Sequence, residues 1–382
     1  NIYKWKVFTK DIITGLNTGG AEMALLNLLR GGLAKKFDTH VISLGDLGTV
    51  GPQIKKLGVN VTALNMNGKL VPLFGMIRLF KTIAYFRPNI IQGWMYHGNL
   101  AASLSSFVTL SKASVVWNVR HSLSDISYEK NLMQLLIRLN KLLSSRADKI
   151  LYNSFVSKAQ HEKFGFFSEN SMVIPNGIDL KKFSSSDVIS SEVRSNLGIP
   201  KSAKVIGHIA RLHPMKNHKL FLYVSILLAN EYSKLHFIIC GKGVPSSEAA
   251  KSIPDNVSSR FHLLDESNEV PKLMNAIDIF CLSSSWGEGF PNVLGEAMAL
   301  KIPCVATDVG DSKFVVGSAG IVVGVGDKNG LMIGIKDLLE KSPEKLSILG
   351  EEARNHIEKN FSLSEIVKKY ASLYNDLVLI RI

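Results

Sequence analysis

The stretch SSSWGEGFPNVLGEAMA, residues 283–299, carries two carboxylates, Glu288 and Glu296, with seven residues between them. It follows the apolar run DIFCL (278–282), which reads as a strand. Trp286-Gly287-Glu288-Gly289 then reads as a loop at the strand's carboxyl end, and Pro291 suits the first turn of a helix. Backbone N–H groups from about Phe290 to Leu294, those of Asn292 and Val293 included, would lie at that helix start, beside Gly289 and Pro291, where an anion is favoured. A carboxylate there cannot hold a phosphate, but it can accept two vicinal hydroxyls at once. The ligand this pattern implies is a diphosphate with a polyol at each end. On spacing alone, a capping Glu and a surface helical Glu explain the pair as well.

A diphosphate needs positive charge. HIARLHPMKNH (208–218) follows the apolar run KVIGHIA and precedes a helical pattern. Its Arg211 offers a forked contact and its Lys216 a point charge. His213 and His218 read as capping or packing residues. No pair of acids at a strand end suggests a metal, and Asp308 and Asp311 are weak candidates, so no metal or other cofactor is expected. Earlier, GLNTGGAE (15–22) sets Gly19 and Gly20 between a strand and a helix, where backbone can approach a ligand. Its spacing is not the dinucleotide fingerprint GxGxxG. GWMYHGN (93–99) and NVRHS (118–122) place Tyr96, His97, Asn99, Arg120 and His121 just after two further strands. These are candidates for the acceptor side, and His121 could exchange hydrogen bonds with a sugar or assist a leaving group.

The elements that must position these residues alternate regularly. Short β-branched runs appear at 5–9 (extending to Ile13), 39–45, 59–64, 89–94, 114–119, 149–153 and 172–175. A second series runs at 204–210, 235–240, 260–264, 278–282, 303–307 and 320–324. Helical patterns fit between them, for example 21–34, 217–230 and 291–300. The fold class expected is α/β, with two Rossmann-like, doubly wound parallel-sheet domains. The boundaries expected are 1–175 and 176–361, split at Pro175-Asn176-Gly177, with a last helix over 362–382 that could return to the first domain. Charge divides at the same place. Residues 1–175 hold 21 Lys and Arg against 9 Asp and Glu, while 176–382 hold 24 against 23. The basic half suggests a phosphorylated or membrane-borne partner, and no nucleic-acid module is present. Cys240, Cys281 and Cys304 read as buried free thiols. Residues 1–20 lack a secretory signal and no 18-residue uncharged apolar run occurs, so a cytoplasmic location is expected.

In order along the chain, GLNTGGAE, RHS, IPNGID (174–179), ARLHPMKNH, CGKG (240–243), EGFPNVLGEAMA and IPCVATDVGD (302–311) resemble glycosyltransferase family four, the retaining group-1 enzymes of the glycosyltransferase-B fold. The resemblance covers nearly the whole chain. It implies two Rossmann-like domains facing a cleft, the first binding mainly the acceptor and the second a nucleotide-sugar. Glu288 would contact the donor sugar, Glu296 the ribose, and Arg211 and Lys216 the diphosphate. Gly20 would offer its amide, and His121 would approach the reacting carbon. Members typically need no metal. Three positions depart from the pattern: Ala210 replaces a Gly before Arg211, Gly310-Asp311 replaces a Gly-Gly, and KDII (10–13) puts charge in a strand that should be apolar.

The reaction implied is transfer of a hexose or N-acetylhexosamine with retention at the anomeric carbon, in bacterial-type surface polysaccharide synthesis such as lipopolysaccharide or capsule. By family frequency a UDP-sugar is favoured as donor, with a GDP-sugar second. Glu288 could be a nucleophile, but Glu296 has no acid role, which favours attack from the leaving group's face. The segments 69–87 and 128–146 carry apolar residues at helical spacing among Lys and Arg. They suggest a lipid-linked glycan acceptor and a peripheral position on an anionic membrane surface, at the inner face of the cytoplasmic membrane. The competing readings are a nucleotide-sugar epimerase of the same architecture and a non-catalytic sugar-nucleotide-binding protein.

Overall fold

The structure, a computed structural model, describes residues 7–66 and 71–380. Trp5 and Lys6 of the expected first strand, Lys69 and Leu70 of the basic helix, and Arg381 and Ile382 of the last helix lie outside the described residues. Among the described residues, thirteen strands form two parallel sheets. The first contains β1 (Phe8–Ile13), β2 (Asp38–Ser43), β3 (Asn60–Ala63), β4 (Ile90–Trp94), β5 (Ser114–Val119), β6 (Lys149–Tyr152) and β7 (Ser171–Val173). Its order is 3-2-1-4-5-6-7. The second contains β8 (Lys204–Ile209), β9 (Leu235–Cys240), β10 (Phe261–Leu264), β11 (Ile279–Leu282), β12 (Cys304–Thr307) and β13 (Gly320–Val323), in the order 10-9-8-11-12-13. Strand order reverses between β1 and β4 and between β8 and β11. In open parallel sheets, the carboxyl ends beside such a reversal are where ligands bind.

The chain divides into two compact units, Asn1–Gly177 with Leu363–Ile382, and Ile178–Ser362. The helix Leu363–Leu379 therefore belongs with the first sheet. Its Ile366, Val367, Tyr370 and Tyr374 are buried in that unit's core with Leu25, Leu29, Val41 and Ile90. Gly31 makes this docking possible, because a Cβ there would stand 2.6 Å from Leu363 Cγ. The first helix is shorter than the sequence pattern suggests. It runs Gly20–Leu28 and loosens into a wider turn over Leu29–Leu33, where Gly32 has φ +112°.

The charges in KDII have a structural account. Lys10 and Asp11 are both buried in β1. Lys10 Nζ donates to His40 Nδ1 of β2 at 2.9 Å and sits 3.9 Å above the Phe86 ring. Burial lowers the Lys10 amine to about 8 and His40 to about 4, so His40 is a neutral acceptor. On the other face, Asp11 Oδ1 accepts the Trp94 indole N–H at 2.8 Å, and burial pushes its carboxyl up to about 7. Each charge thus has a directed partner, as buried polar groups require. Cys240, Cys281 and Cys304 are buried free thiols.

Candidate active site

In the second unit, two loops leave the sheet on either side of the strand reversal and are stitched together. After β8, Pro214–Lys216 forms one tight turn, and Asn217 takes a left-handed conformation (φ +48°) that starts the helix His218–Glu231. The Asn217 side chain caps that helix through Leu220 N–H and donates to Ser285 Oγ at 2.9 Å. Ser283 Oγ donates to the carbonyls of Lys216 and Asn217, and Ser285 N–H donates to Met215 O at 2.7 Å. Lys216 is thereby carried to Glu288, which it engages as a charge-assisted pair. Ser284 Oγ donates to the same Glu288 oxygen at 2.6 Å. Glu288 is 7% exposed. Arg211, in contrast, is exposed and has no hydrogen bond or ion pair among the described residues.

A third loop closes on the second. Gly310 has φ +60°, and a Cβ there would stand 2.4 Å from Glu288 O and 2.6 Å from Gly289 O. Asp311 N–H donates to Gly289 O at 2.9 Å. One glycine of this segment is therefore required by geometry, and Asp311 occupies the next position as a buried residue. Ala210 lies against the CGKG segment: a Cβ on Gly241 would stand 1.9 Å from Ala210 O. The small residue needed for close approach here is Gly241, on the partner loop.

The helix Asn292–Ala299 starts one residue later than the sequence suggested, with Pro291 just before its first turn. One of the expected free donors is corrected. Leu294 N–H folds back to Pro291 O at 3.1 Å, in the tight first turn. Among the described residues no hydrogen-bond partner is present for the N–H groups of Gly289, Phe290 and Val293. Phe290 itself is buried against Phe361. Glu296 is half-buried on this helix, and its carboxylate has no hydrogen-bond partner among the described residues. Burial pushes its carboxyl up to about 7, and the Lys182 charge pulls the other way. The two glutamates are thus unlike. Glu288 is held, whereas Glu296 is open and poised to ionise near neutral pH.

In the first unit, Gly19 and Gly20 open the nine-residue helix Gly20–Leu28 at the carboxyl end of β1. A Cβ at Gly20 would meet nothing within 4 Å, and the residue is exposed. His121 follows β5 and is half-buried. Its Nδ1 lies 3.2 Å from Tyr96 Oη, and its Nε2 lies 3.2 Å from Glu129 Oε1. Burial lowers the His121 imidazole and Glu129 raises it. Tyr96 is buried, and its hydroxyl continues to His161 Nε2 at 2.6 Å.

Three acceptor-side candidates prove to be differently placed. Tyr96 is buried, with its hydroxyl between His121 and His161. Asn99 is fully buried, and its Oδ1 accepts the Asn118 N–H, so it ties a helix to the sheet. Arg120 donates to Asn118, Asn176 and Tyr370 and stacks 5.1 Å from Trp94, so its guanidinium serves the framework. His97 is exposed.

Two family models match this chain. "Glycosyltransferase Family 4" matches residues 18–182, and "Glycosyl transferases group 1" matches residues 203–341. The chain belongs to the family-four, group-1 glycosyltransferases. Among its relatives, the putative glycosyltransferase EpsF of Bacillus subtilis is 25% identical over 309 residues, 78% of each chain. The UDP-Gal:alpha-D-GlcNAc-diphosphoundecaprenol alpha-1,3-galactosyltransferase of Escherichia coli is 29% identical over 213 residues, about half (54%) of each chain. Among solved structures, HepE from Anabaena in complex with UDP superposes with a TM-score of 0.84 at 20% identity, covering 97% of this chain and 100% of that one. Sucrose-phosphate synthase from Thermosynechococcus elongatus gives 0.73 at 16% identity, covering 98% and 100%. The fold of this glycosyltransferase is accordingly of the glycosyltransferase-B class, with two parallel-sheet α/β units.

Several neighbours of the candidate residues were not legible beforehand. Ser284 sits in a run of three serines, and only the fold shows which one meets Glu288. Lys182 is four residues past Ile178 in sequence, yet its charge acts on Glu296. Glu129 and His161 carry no motif, and each joins His121 or its partner only through packing. Among the described residues no group of three or more His, Cys, Asp or Glu side chains could hold a metal. No helix among them is long and apolar enough to cross a membrane.

Proposed function

We propose that this glycosyltransferase moves a sugar from a UDP-sugar to a lipid-linked glycan with retention at the anomeric carbon, in surface polysaccharide synthesis. The observation that carries the donor site is the contrast within the second unit. Arg211 is exposed and unpaired, the helix start offers free N–H groups, and Glu296 is an open carboxylate, while Lys216 and Glu288 are locked together. The diphosphate would lie against Arg211, Lys216 and the free N–H groups, which supply its counter-charge without a metal. Glu296 would accept the ribose hydroxyls and Glu288 a donor sugar hydroxyl. A carboxylate already accepting from Lys216 and Ser284 is a poor nucleophile, which supports front-face transfer. The anomeric carbon–phosphate oxygen bond breaks, the bond to the acceptor oxygen forms on the same face, and the departing phosphate takes the acceptor's proton. Arg211 and Lys216 stabilise the charge that develops on that phosphate. Support for the donor class comes from HepE, solved with UDP and with UDP-glucose, and from the E. coli relative, whose name gives a UDP-galactose donor and a diphosphoundecaprenol acceptor.

The first unit favours a membrane-borne acceptor. Residues 47–124 contain no Asp or Glu. The helices Val71–Phe86, Met95–Val108 and Asn131–Leu143 pack side by side and likewise contain no acid. They leave Leu73, Phe74, Tyr85, Phe107, Leu132 and Leu142 about two-thirds or more exposed, among exposed Arg78, Lys81 and Arg138. Basic charge interleaved with exposed apolar and aromatic side chains suits the surface of an anionic bilayer at the inner face of the cytoplasmic membrane.

The test is to incubate the protein with UDP- and GDP-sugars and a polyprenyl-diphosphate-linked sugar, with and without magnesium. Release of UDP coupled to an α-linked product supports the reading. An isomerised nucleotide-sugar would indicate an epimerase, and an unaltered one a binding protein. Arg211→Ala should lower kcat by roughly 10²–10³, the cost of one preorganised donor at a developing charge. Unchanged turnover in that variant would remove Arg211 from the site.

A further inference from the structure

The array Glu129–His121–Tyr96–His161 carries information that no single residue does. It runs from Glu129 Oε1 to His121 Nε2 (3.2 Å), from His121 Nδ1 to Tyr96 Oη (3.2 Å), from Tyr96 Oη to His161 Nε2 (2.6 Å), and from His161 Nδ1 to the Ser157 carbonyl (2.8 Å). The protons along it can be assigned from the far end. A carbonyl only accepts, so His161 Nδ1 carries a hydrogen. Neutral His161 then has a lone pair on Nε2, which must take the Tyr96 O–H. Burial lowers His161 to about 4, so its ring is neutral at physiological pH. With its own hydrogen committed, the Tyr96 oxygen can only accept, and it does so from His121 Nδ1–H.

The remaining atom, His121 Nε2, is therefore a lone pair whenever the ring is neutral. A lone pair facing a carboxylate at 3.2 Å repels it. The contact with Glu129 is attractive only when a further proton sits between the two groups. Four links need four hydrogens, and the neutral His161, Tyr96 and His121 supply three.

We propose that Tyr96 and His161 are positioning residues that hold neutral His121 in the tautomer protonated on Nδ1, so that Nε2 accepts a substrate hydroxyl, and that Glu129 covers Nε2 when the ring is protonated. This rests on the reading above only in taking His121 to meet a sugar hydroxyl; the tautomer itself does not depend on it. The groups facing the array are Glu129 from the turn before the helix Asn131–Leu143, Tyr96 from Met95–Val108, His161 from Phe155–Phe164, and Tyr152 of β6, whose ring lies 5.3 Å from His161. Of these, Glu129 is the charge that favours the protonated ring. The device separates two states. At low pH Glu129 closes over an imidazolium, and at higher pH the lone pair is free for the ligand.

The experiment is a long-range proton–nitrogen correlation spectrum of the full chain with labelled histidine. The His121 signals are assigned by their loss in His121→Ala. At pH 8 His121 should show a protonated Nδ1 and a bare Nε2. A neutral ring protonated on Nε2 would overturn the proposal. Tyr96→Phe keeps the ring volume but removes the relay, and should let both tautomers of His121 appear and lower kcat/KM about tenfold. Glu129→Gln should keep the tautomer and shift the acidic limb of the rate profile to lower pH, because the carboxylate that raises His121 is gone. His161→Gln, whose amide oxygen still accepts the phenol proton, should restore more activity than His161→Leu. If the tautomer is as stated but Tyr96→Phe alters neither kcat/KM nor the limb, the recognition role is overturned. If the wild-type protein shows the tautomer but transfers no sugar, the transferase reading fails and the tautomer assignment stands.

Discussion

Glu296 offers the sharpest test of the donor site, because its protonation and its proposed task are coupled. Burial holds its carboxyl at about 7 in the free protein, against an ordinary value of 4.5. A carboxylate accepts two ribose hydroxyls, whereas the neutral acid has one oxygen turned donor. Binding should therefore favour the ionised form, release a proton, and weaken as pH falls. With a pKa near 7, about nine-tenths of the groups are ionised at pH 8 and about one-tenth at pH 6. The affinity should drop about tenfold between those values, or about 1.4 kcal/mol. The ligand should be UDP-glucose, whose diphosphate carries no group titrating in this range. Calorimetry in two buffers of different ionisation enthalpy reads both the affinity and the proton released. Glu296→Gln should bind more weakly at pH 8 and show no slope. A flat affinity profile in the wild-type protein, or a slope that survives in Glu296→Gln, would refute the assignment. In the absence of ligand the sign reverses. A carboxyl raised on folding contributes stability that is full below about 4.5 and lost as pH rises through about 7, so Glu296→Gln should be less pH-sensitive to heat over that window.

Lys216→Met should destabilise the protein by about 3 kcal/mol, because it strands a buried Glu288 with only Ser284 as partner. Adding Glu288→Leu should recover much of that loss in denaturant unfolding, and a single variant as stable as wild type would contradict the buried pair. Gly310→Ala should cost about 2 kcal/mol from its left-handed backbone and the Cβ driven into Glu288 O, and should weaken UDP-glucose binding as well. Replacing Arg78, Lys81 and Arg138 together with Gln should weaken sedimentation with anionic vesicles about 100-fold, at about 1 kcal/mol per basic residue. Wild-type protein that fails to bind such vesicles at low salt would dismiss the membrane face.

The sequence by itself determined the alternation of strands and helices, because fully buried parallel strands must be short apolar runs and their crossovers must be longer amphipathic segments. All thirteen strands of the described residues overlap those runs, and the loops at their carboxyl ends follow directly, so the placement of Arg211, Lys216, Glu288 and His121 after strands could be read from position alone. Free thiols were equally legible, as was the lack, among the described residues, of a helix long and apolar enough to cross a membrane, both being matters of count and length. What depends on contacts between distant segments was not. Nothing in KDII tells that Lys10 faces His40 and Asp11 faces Trp94, since strand order decides which neighbours a charge meets. Arg120 reads in sequence as an acceptor-side candidate, and only the fold shows that Asn176 and the final helix close on it. Glu288 and Glu296 looked like a matched pair. The tertiary structure made one a held anion and the other an open, half-buried acid, because it brought a lysine and a serine to the first and mainly low-dielectric surroundings to the second.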